Sequence, residues 1–573
     1  LLIDGRPTND LFFGEFLAGR ELPLEHIARI EIIRGPGSAL YGTNAMAGVI
    51  NVVTKDYADE RGPGVIGEYG SFSTRRVDAF AGAGDPEVNG NFFFRYFGTG
   101  GANQIGRNDN QRQFFGFGRS SLGPLTLESD ALDFRQEFPG FEGASTPEDR
   151  VHRNRYSIAG KLDPPLGEDL KLTARVYANL YQTRMLVASG PSRTGLLAGT
   201  PIPDRTTYDE RRVGEEIALT THPFPWLAIT LGGEARQEHG GVGPLRCVSS
   251  TTGDIEIDRQ GCDLDQDVYA AFLEDQVSLP FDVTLTAGFR YDSVSISGDR
   301  VNPRVHLLWK PGARTAVKLG YGEAFRAPSF FELRGAQQFG TDTFVLGNPN
   351  LDPEVVRTVE GEITHSFGRF LNTRVSSFFT RGTDMITQTA SVDLIDLGIC
   401  PPCGVQADSV LAGLCPIIGG LSPLPVTTKE YCFVNSSRVE VLGVESSAGG
   451  VLGDLPIPGE IAYGVNYTFQ SSKNRSDIGG EPDLPLTPRH KANLLFNYRP
   501  TPELSIFWHT HWVGRQFADA AEQRSLSSYF NQNLNLKYRV SRELELGVGF
   551  YNLFGDDRSE ALGVPREPRT ILG

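Results

Sequence analysis

The chain has 573 residues and carries 70 acidic against 54 basic side chains, a formal net charge of −16, which excludes a nucleic-acid partner because such a partner calls for a basic face. No apolar run reaches the ~18 residues of a membrane-spanning helix. With 66 glycines, 36 phenylalanines and 18 tyrosines against 3 methionines, the composition favours strands and turns.

Residues 1–56 read as one compact αβ piece. A strand over Leu1–Asp4 is followed by a loop over Thr8–Phe16, a short helix near Leu24–Ala28, and a strand through Ile30, Ile32 and Ile33 that ends at Arg34. A second apolar run, Val49–Val53, lies beyond Gly35, Pro36, Gly37, Gly42 and Gly48, so the connection is tight and Ser38–Tyr41 has room for one helical turn. Gly35 and Gly37 after a strand hint at a phosphate-cradling loop. Leu40 stands where that fingerprint needs glycine, however, and no strand–helix–strand unit with a downstream acid follows.

From about Gly64 onward the period is two. Phe281, Val283, Leu285, Ala287, Phe289 and Tyr291 alternate with Asp282, Thr284, Thr286, Gly288, Arg290 and Asp292, and Ile461–Gln470 and Asn533–Val540 repeat the pattern. Such strands have one wet and one apolar face. They run to about 9–11 residues, the length that crosses a bilayer when tilted. Short Pro/Gly/Asp turns recur at ten places between 84–90 and 539–543, and long connections such as 182–210, 237–264, 324–353 and 384–436 lie between them. Short turns on one rim and long loops on the other define an outer-membrane barrel. Ten such turns predict 22 strands, with a last strand that starts near Pro568 and is incomplete at Gly573.

Arg34-Gly35-Pro36, Leu40-Tyr41-Gly42, Ala47-Gly48-Val49-Ile50-Asn51 and Thr54-Lys55 resemble the plug-domain signature of TonB-dependent outer-membrane receptors. Leu1–Gly5, Gly322–Pro328, Gly347–Leu351 and Tyr551–Phe554 are similar to further motifs of that family, in the expected order. The resemblance implies a membrane all-β fold: a 22-stranded antiparallel transmembrane barrel with an N-terminal αβ plug in its lumen. The expected domains are the C-terminal half of the plug over 1–56, a linker over 57–63 and the barrel over 64–573. The sequence begins at Leu1 with no signal-like segment, and the expectation is a fragment lacking the first half of the plug, with its TonB-docking segment, and the end of the barrel.

A lumen of this width must be plugged or leak. The implied function is TonB-dependent active uptake of a scarce ligand, a ferric siderophore first and cobalamin or another nutrient (glycan, peptide) second; a passive porin or adhesin is the alternative of a different class. The implied partners are TonB with its inner-membrane energising complex, the siderophore or similar small ligand, and outer-membrane lipid and lipopolysaccharide. The protein is expected to be a monomer in the outer membrane of a Gram-negative bacterium. No nucleophile elbow, HExxH motif or paired catalytic carboxylates occur, so an enzyme is not expected, and neither is a cofactor.

In the family the arginine at the end of the plug strand pairs with wall glutamates, and Glu323, Glu360 and Glu362 are the candidates for Arg34, against a solvated Arg34 in a wet lumen. Phe12 and Phe13 form an unusually apolar loop that either stacks on a ligand or packs on the wall. His509 and His511 share one strand face, with Trp508 and Trp512 on the other; polar lining is the plain reading and no metal site is assigned. Arg184, Arg193, Arg205, Arg246, Arg259 and Arg334 are loop arginines able to draw an anionic chelate, offset by Asp254, Asp258, Asp263, Asp265 and Asp267. Cys247 with Cys262, and Cys400, Cys403, Cys415 and Cys432, lie in turn-rich segments. Disulfides of an oxidising compartment are expected, with zinc or redox use of the second group left open and its pairing undetermined.

Overall fold

The computed structural model describes the chain except for residues 15–20, 102–109, 138–149, 187–204, 244, 249–254, 259–262, 340–342, 391–428, 454, 477–481, 520, 521, 557 and 559–568, with the backbone alone given for some of their neighbours. Strand β1 (Leu2–Ile3) pairs with β2 (Arg6–Pro7) and, in parallel, with β4 (Gly48–Thr54), which pairs antiparallel with β3 (Ile27–Arg34). The helix expected near Leu24–Ala28 is only a single 3₁₀ turn, Leu24–His26. The β-branched run beginning at Ile27 draws the following residues into β3 instead. Helix α1 (Ser38–Tyr41) sits between β3 and β4 as one turn. Gly48 has φ +149, and a Cβ there would meet the Ile33 carbonyl oxygen at 2.5 Å, so only glycine lets β3 and β4 close on each other.

Around this sheet runs a closed antiparallel barrel of 22 strands, from Gly62–Gly70 to Thr570–Leu572, with a small hairpin (Ala336–Phe339 and Thr343–Leu346) inserted at one rim. The short last strand closes the wall: Leu572 pairs with Gly70, and Gly573 and Tyr69 exchange backbone hydrogen bonds of 2.8 and 3.0 Å.

The two faces of the wall follow the period-two pattern. Val65, Ile158, Val176, Leu319 and Leu442 point outward and are more than half exposed, while Asp78, Arg155, Asp292 and Asn302 on the inner face are buried against the plug and each other. Aromatic residues mark both edges of the apolar band. Phe224 and Trp226, stacked at 5.3 Å, lie with Trp309 and Phe370 by the short turns. Tyr156, Tyr269, Tyr291 and Tyr467 lie nearer the long connections. A chain with this wall crosses a membrane with strands, and none of its described helices is long and apolar enough to do so.

Candidate functional site

The plug touches the wall mainly through charge. Arg6 is buried beside Asp130 (3.4 Å) and Glu128 (3.8 Å). Asp4 meets Arg119 at 3.1 Å, and Glu21 bridges Arg153 and Arg155. Glu25 pairs with Arg76 at 2.6 Å and with Arg95; burial works to raise its carboxyl, and the two guanidiniums outweigh burial and hold it below its ordinary value. His26, fully buried, stacks on Phe93, packs at a tilt against Phe117 and meets Glu60 at 3.2 Å. Bonds to backbone carbonyls add to these contacts: Arg290 donates to that of Leu40 (3.2 Å) and the Asn44 N–H donates to that of Phe325 (3.0 Å). Buried ion pairs carry large desolvation costs that offset their attraction. An interface made of them is specific in position without the net adhesion of an apolar core.

Arg34, 47 % exposed, pairs with Glu445 on the inner face of strand Lys429–Leu452. It does not reach the three candidate glutamates. Glu323 shares the outward face with Leu319 and Tyr321 and meets Arg357 at 3.3 Å. Glu360 is held by Lys318 (3.0 Å), although its carboxylate lines the turn at Gly35, 3.3 Å from where a Cβ would stand. Glu362 lies 4.0 Å from Arg374.

The apolar contact is concentrated at the apex. Phe12 is buried, 4.7 Å from the Tyr208 ring and 6.3 Å from that of Phe330, so it packs on the wall and is not available to a ligand. Phe13 is half-buried, between Tyr208 (5.4 Å) and Phe331 (5.3 Å). Helix α2 (Phe330–Arg334) supplies two of these rings and is fixed by a capping box between Ser329 and Glu332, whose carboxylate also takes Arg326 at 2.6 Å. Leu11 donates its N–H to Glu210 (2.7 Å), anchoring the loop below. Arg334, at the end of α2, is half-buried, and burial pushes it below the ordinary arginine value; no carboxylate among the described residues pairs with it.

His509 and His511 both contact Asn493 (3.3 and 2.8 Å), as polar lining would, and no metal-binding cluster occurs among the described residues. Trp508 and Trp512 pack on Phe554 and Phe530 on the opposite face. Arg184 is not a loop residue: it belongs to strand Leu170–Leu186 and shares the outward face with Leu180 and Val176. Cys432 is buried on the wall strand Lys429–Leu452. Cys262, Cys400, Cys403, Cys415, Arg193, Arg259, Asp254 and the side chains of Cys247, Arg205, Arg246 and Asp258 lie outside the described residues. The charges that seat the plug (Asp130, Arg153, Arg155, Glu445) were not singled out from the sequence. Their signal is an ionised residue at an inward parity of a strand whose lumen is filled.

A 22-strand membrane barrel closed by an internal sheet is a gated outer-membrane receptor. The chain belongs to the TonB-dependent receptor family: residues 83–553 match the family's receptor-like β-barrel and residues 1–49 its receptor plug domain. The protein is therefore an outer-membrane receptor of a Gram-negative bacterium, and the family is one of receptors rather than enzymes. It is similar to the ferric enterobactin receptor of Pseudomonas aeruginosa (22% identical, covering 97% of this chain and 80% of that protein). It is also similar to the iron-regulated outer membrane virulence protein of Vibrio cholerae (26% identical, 93% and 77%). The solved siderophore receptor PirA of Acinetobacter baumannii shares its fold with a TM-score of 0.75 at 18% identity, over 100% of this chain and 89% of that one.

Proposed function

We propose that this receptor takes up a ferric siderophore, captured between the long connections and the plug apex and released inward when TonB displaces part of the plug. The names of its relatives over nearly the whole chain carry this reading. The apex supports it with Phe13, a half-buried ring on an apolar floor, and with Arg334 at the end of the helix that carries Phe331, a guanidinium with no carboxylate partner among the described residues. A planar aromatic chelate with net negative charge fits that pair.

The interface chemistry supports displacement. Pulling the plug separates ion pairs such as Arg6–Asp130 and Glu25–Arg76, whose partners regain water as they part. We assign Arg34 and Glu445 to the ionic contact that seats the plug, and the domain bounds at 1–56 for the plug, 57–61 for the linker and 62–573 for the barrel, whose first strand begins at Gly62. No catalytic step is required, because the work comes from the energising complex.

The test is binding by the purified receptor of a panel of ferric siderophores against cobalamin, read by quenching of intrinsic fluorescence. Saturable submicromolar binding of one ferric chelate is expected. Binding of cobalamin alone, or of neither class, overturns the assignment.

A further inference from the structure

Two stretches singled out separately in the sequence, the plug turn over Gly35–Gly42 and the wall stretch Gly322–Pro328, lie against each other. Pro36 packs over Gly322, where a Cβ would stand 3.4 Å from the proline Cβ. Beyond this contact the bonds run through the backbone of the wall. The Phe325 N–H donates to the Ser38 hydroxyl (3.3 Å), its carbonyl accepts from the Asn44 N–H (3.0 Å), and the Ala327 N–H donates to the Thr43 hydroxyl (3.0 Å). Ala324, Phe325 and Ser38 are fully buried.

The same wall segment continues into α2, where it holds a second part of the plug. The first N–H groups of a helix have no partner within it. In α2 the Glu332 N–H goes to the Ser329 hydroxyl, while those of Phe330 and Phe331 go to the plug apex, to the carbonyls of Leu11 (3.2 Å) and Phe12 (3.0 Å). All four of these residues are buried in one apolar cluster. A buried donor that loses its partner is costly, whereas a donor whose partner moves with it loses nothing. The apex and α2 therefore move as one piece.

Leu11 and Phe12 precede β3 and Ser38–Asn44 follow it, so one wall segment joins plug parts on either side of that strand. In the uptake reading the chelate rests on Phe13 at the apex and on Arg334 at the far end of α2, and so bears on both sides of the joint between them. The plug turn starts next to Arg34, whose pair with Glu445 seats the plug. We infer that Phe325–Arg334 is a strap that carries occupancy of the apex to the turn beside this ionic seat, and that Ser38 and Thr43 are positioning residues for uptake that touch no ligand. The inference rests on the uptake reading and adds the route, through the wall, by which the ligand acts on the seat. A ligand shifts such a joint only by binding one of its arrangements better than another. The chelate does so here by holding apex and strap together.

The experiment uses the full-length receptor, in cells and purified, and its probe is the ferric chelate that the unmodified receptor binds from the siderophore panel. Ser38→Ala/Thr43→Val removes both hydroxyl acceptors of the strap and leaves the apex untouched. This double variant should keep the chelate Kd within about twofold while its maximal uptake rate falls about tenfold at unchanged KM. Thr43→Ser, which keeps its hydroxyl, should retain the full rate. Amide exchange on the unmodified receptor gives a second reading: saturating chelate should slow exchange at Phe325–Arg334 and at Ser38–Asn44 together. A full uptake rate in the double variant at a normal outer-membrane level overturns the strap. So does a loss of affinity that matches the loss of rate, or protection confined to the apex and α2. The exchange comparison decides the question even where the double variant fails to fold. Absence of chelate binding by the unmodified receptor overturns the uptake reading, and this inference with it.

Discussion

Arg34 and Glu445, 411 residues apart in sequence, form an ion pair that joins the end of a plug strand to the inner face of the wall. Both side chains keep partial access to water, at 47% and 29% exposure. The pair is thus a contact that can open without a large desolvation change.

From that exposure, Arg34→Ala and Glu445→Ala should each weaken plug seating by only ~0.2–1 kcal/mol. A double-mutant cycle on the urea concentration that opens the pore, read as bilayer conductance, measures it. The double variant should cost no more than either single one. Additive losses would mean that the two residues act through other partners.

The two apex phenylalanines should separate cleanly. Phe12→Ala removes a ring buried against Tyr208 and should cost the plug loop about 3–5 kcal/mol. Phe13→Ala should cost clearly less and should weaken chelate binding instead. Thermal unfolding and ligand titration of both variants check this, and equal destabilisation would place Phe13 in the packed core.

At Gly48 a side chain meets both a backbone oxygen and an unfavourable φ. Gly48→Ala should cost about 1–3 kcal/mol from backbone strain alone, seen as conductance through a disordered plug while the barrel keeps its strand content. A fully closed variant would contradict the β3–β4 geometry.

The pH dependence of plug seating has a definite sign. The Glu25 carboxyl is held below its ordinary value by Arg95 and Arg76 against the effect of burial. Its pairing therefore contributes in full above the unfolded carboxylate pKa of about 4.3, and is lost only as pH falls through the lowered folded value. The opening urea concentration should include a component that is level from pH 7 to 5, declines below pH 4, and is absent in Glu25→Gln. A decline centred above pH 5 in the difference between the two proteins would contradict the pairing.

The architecture was legible because turn chemistry repeats. Ten short Pro/Gly/Asp turns predict 22 strands, and the wall closes with 22. The plug's tight turn was legible from Gly35 to Gly48. Partners across the lumen were not, because which wall residue faces Arg34 depends on the plug's rotation inside the barrel. One miss was avoidable: Glu323 shares parity with Leu319 and Tyr321, which places it on the lipid side. Arg184 was read as loop because strand Leu170–Leu186 continues past the 9–11 residues that span a bilayer.

The most direct test of the account is accumulation of radioiron from ferric siderophores by cells that depend on this receptor, with TonB present and with TonB removed. Saturable accumulation that is abolished without TonB is the predicted result. Accumulation that is linear in concentration and indifferent to TonB would mean a passive pore, and would contradict it.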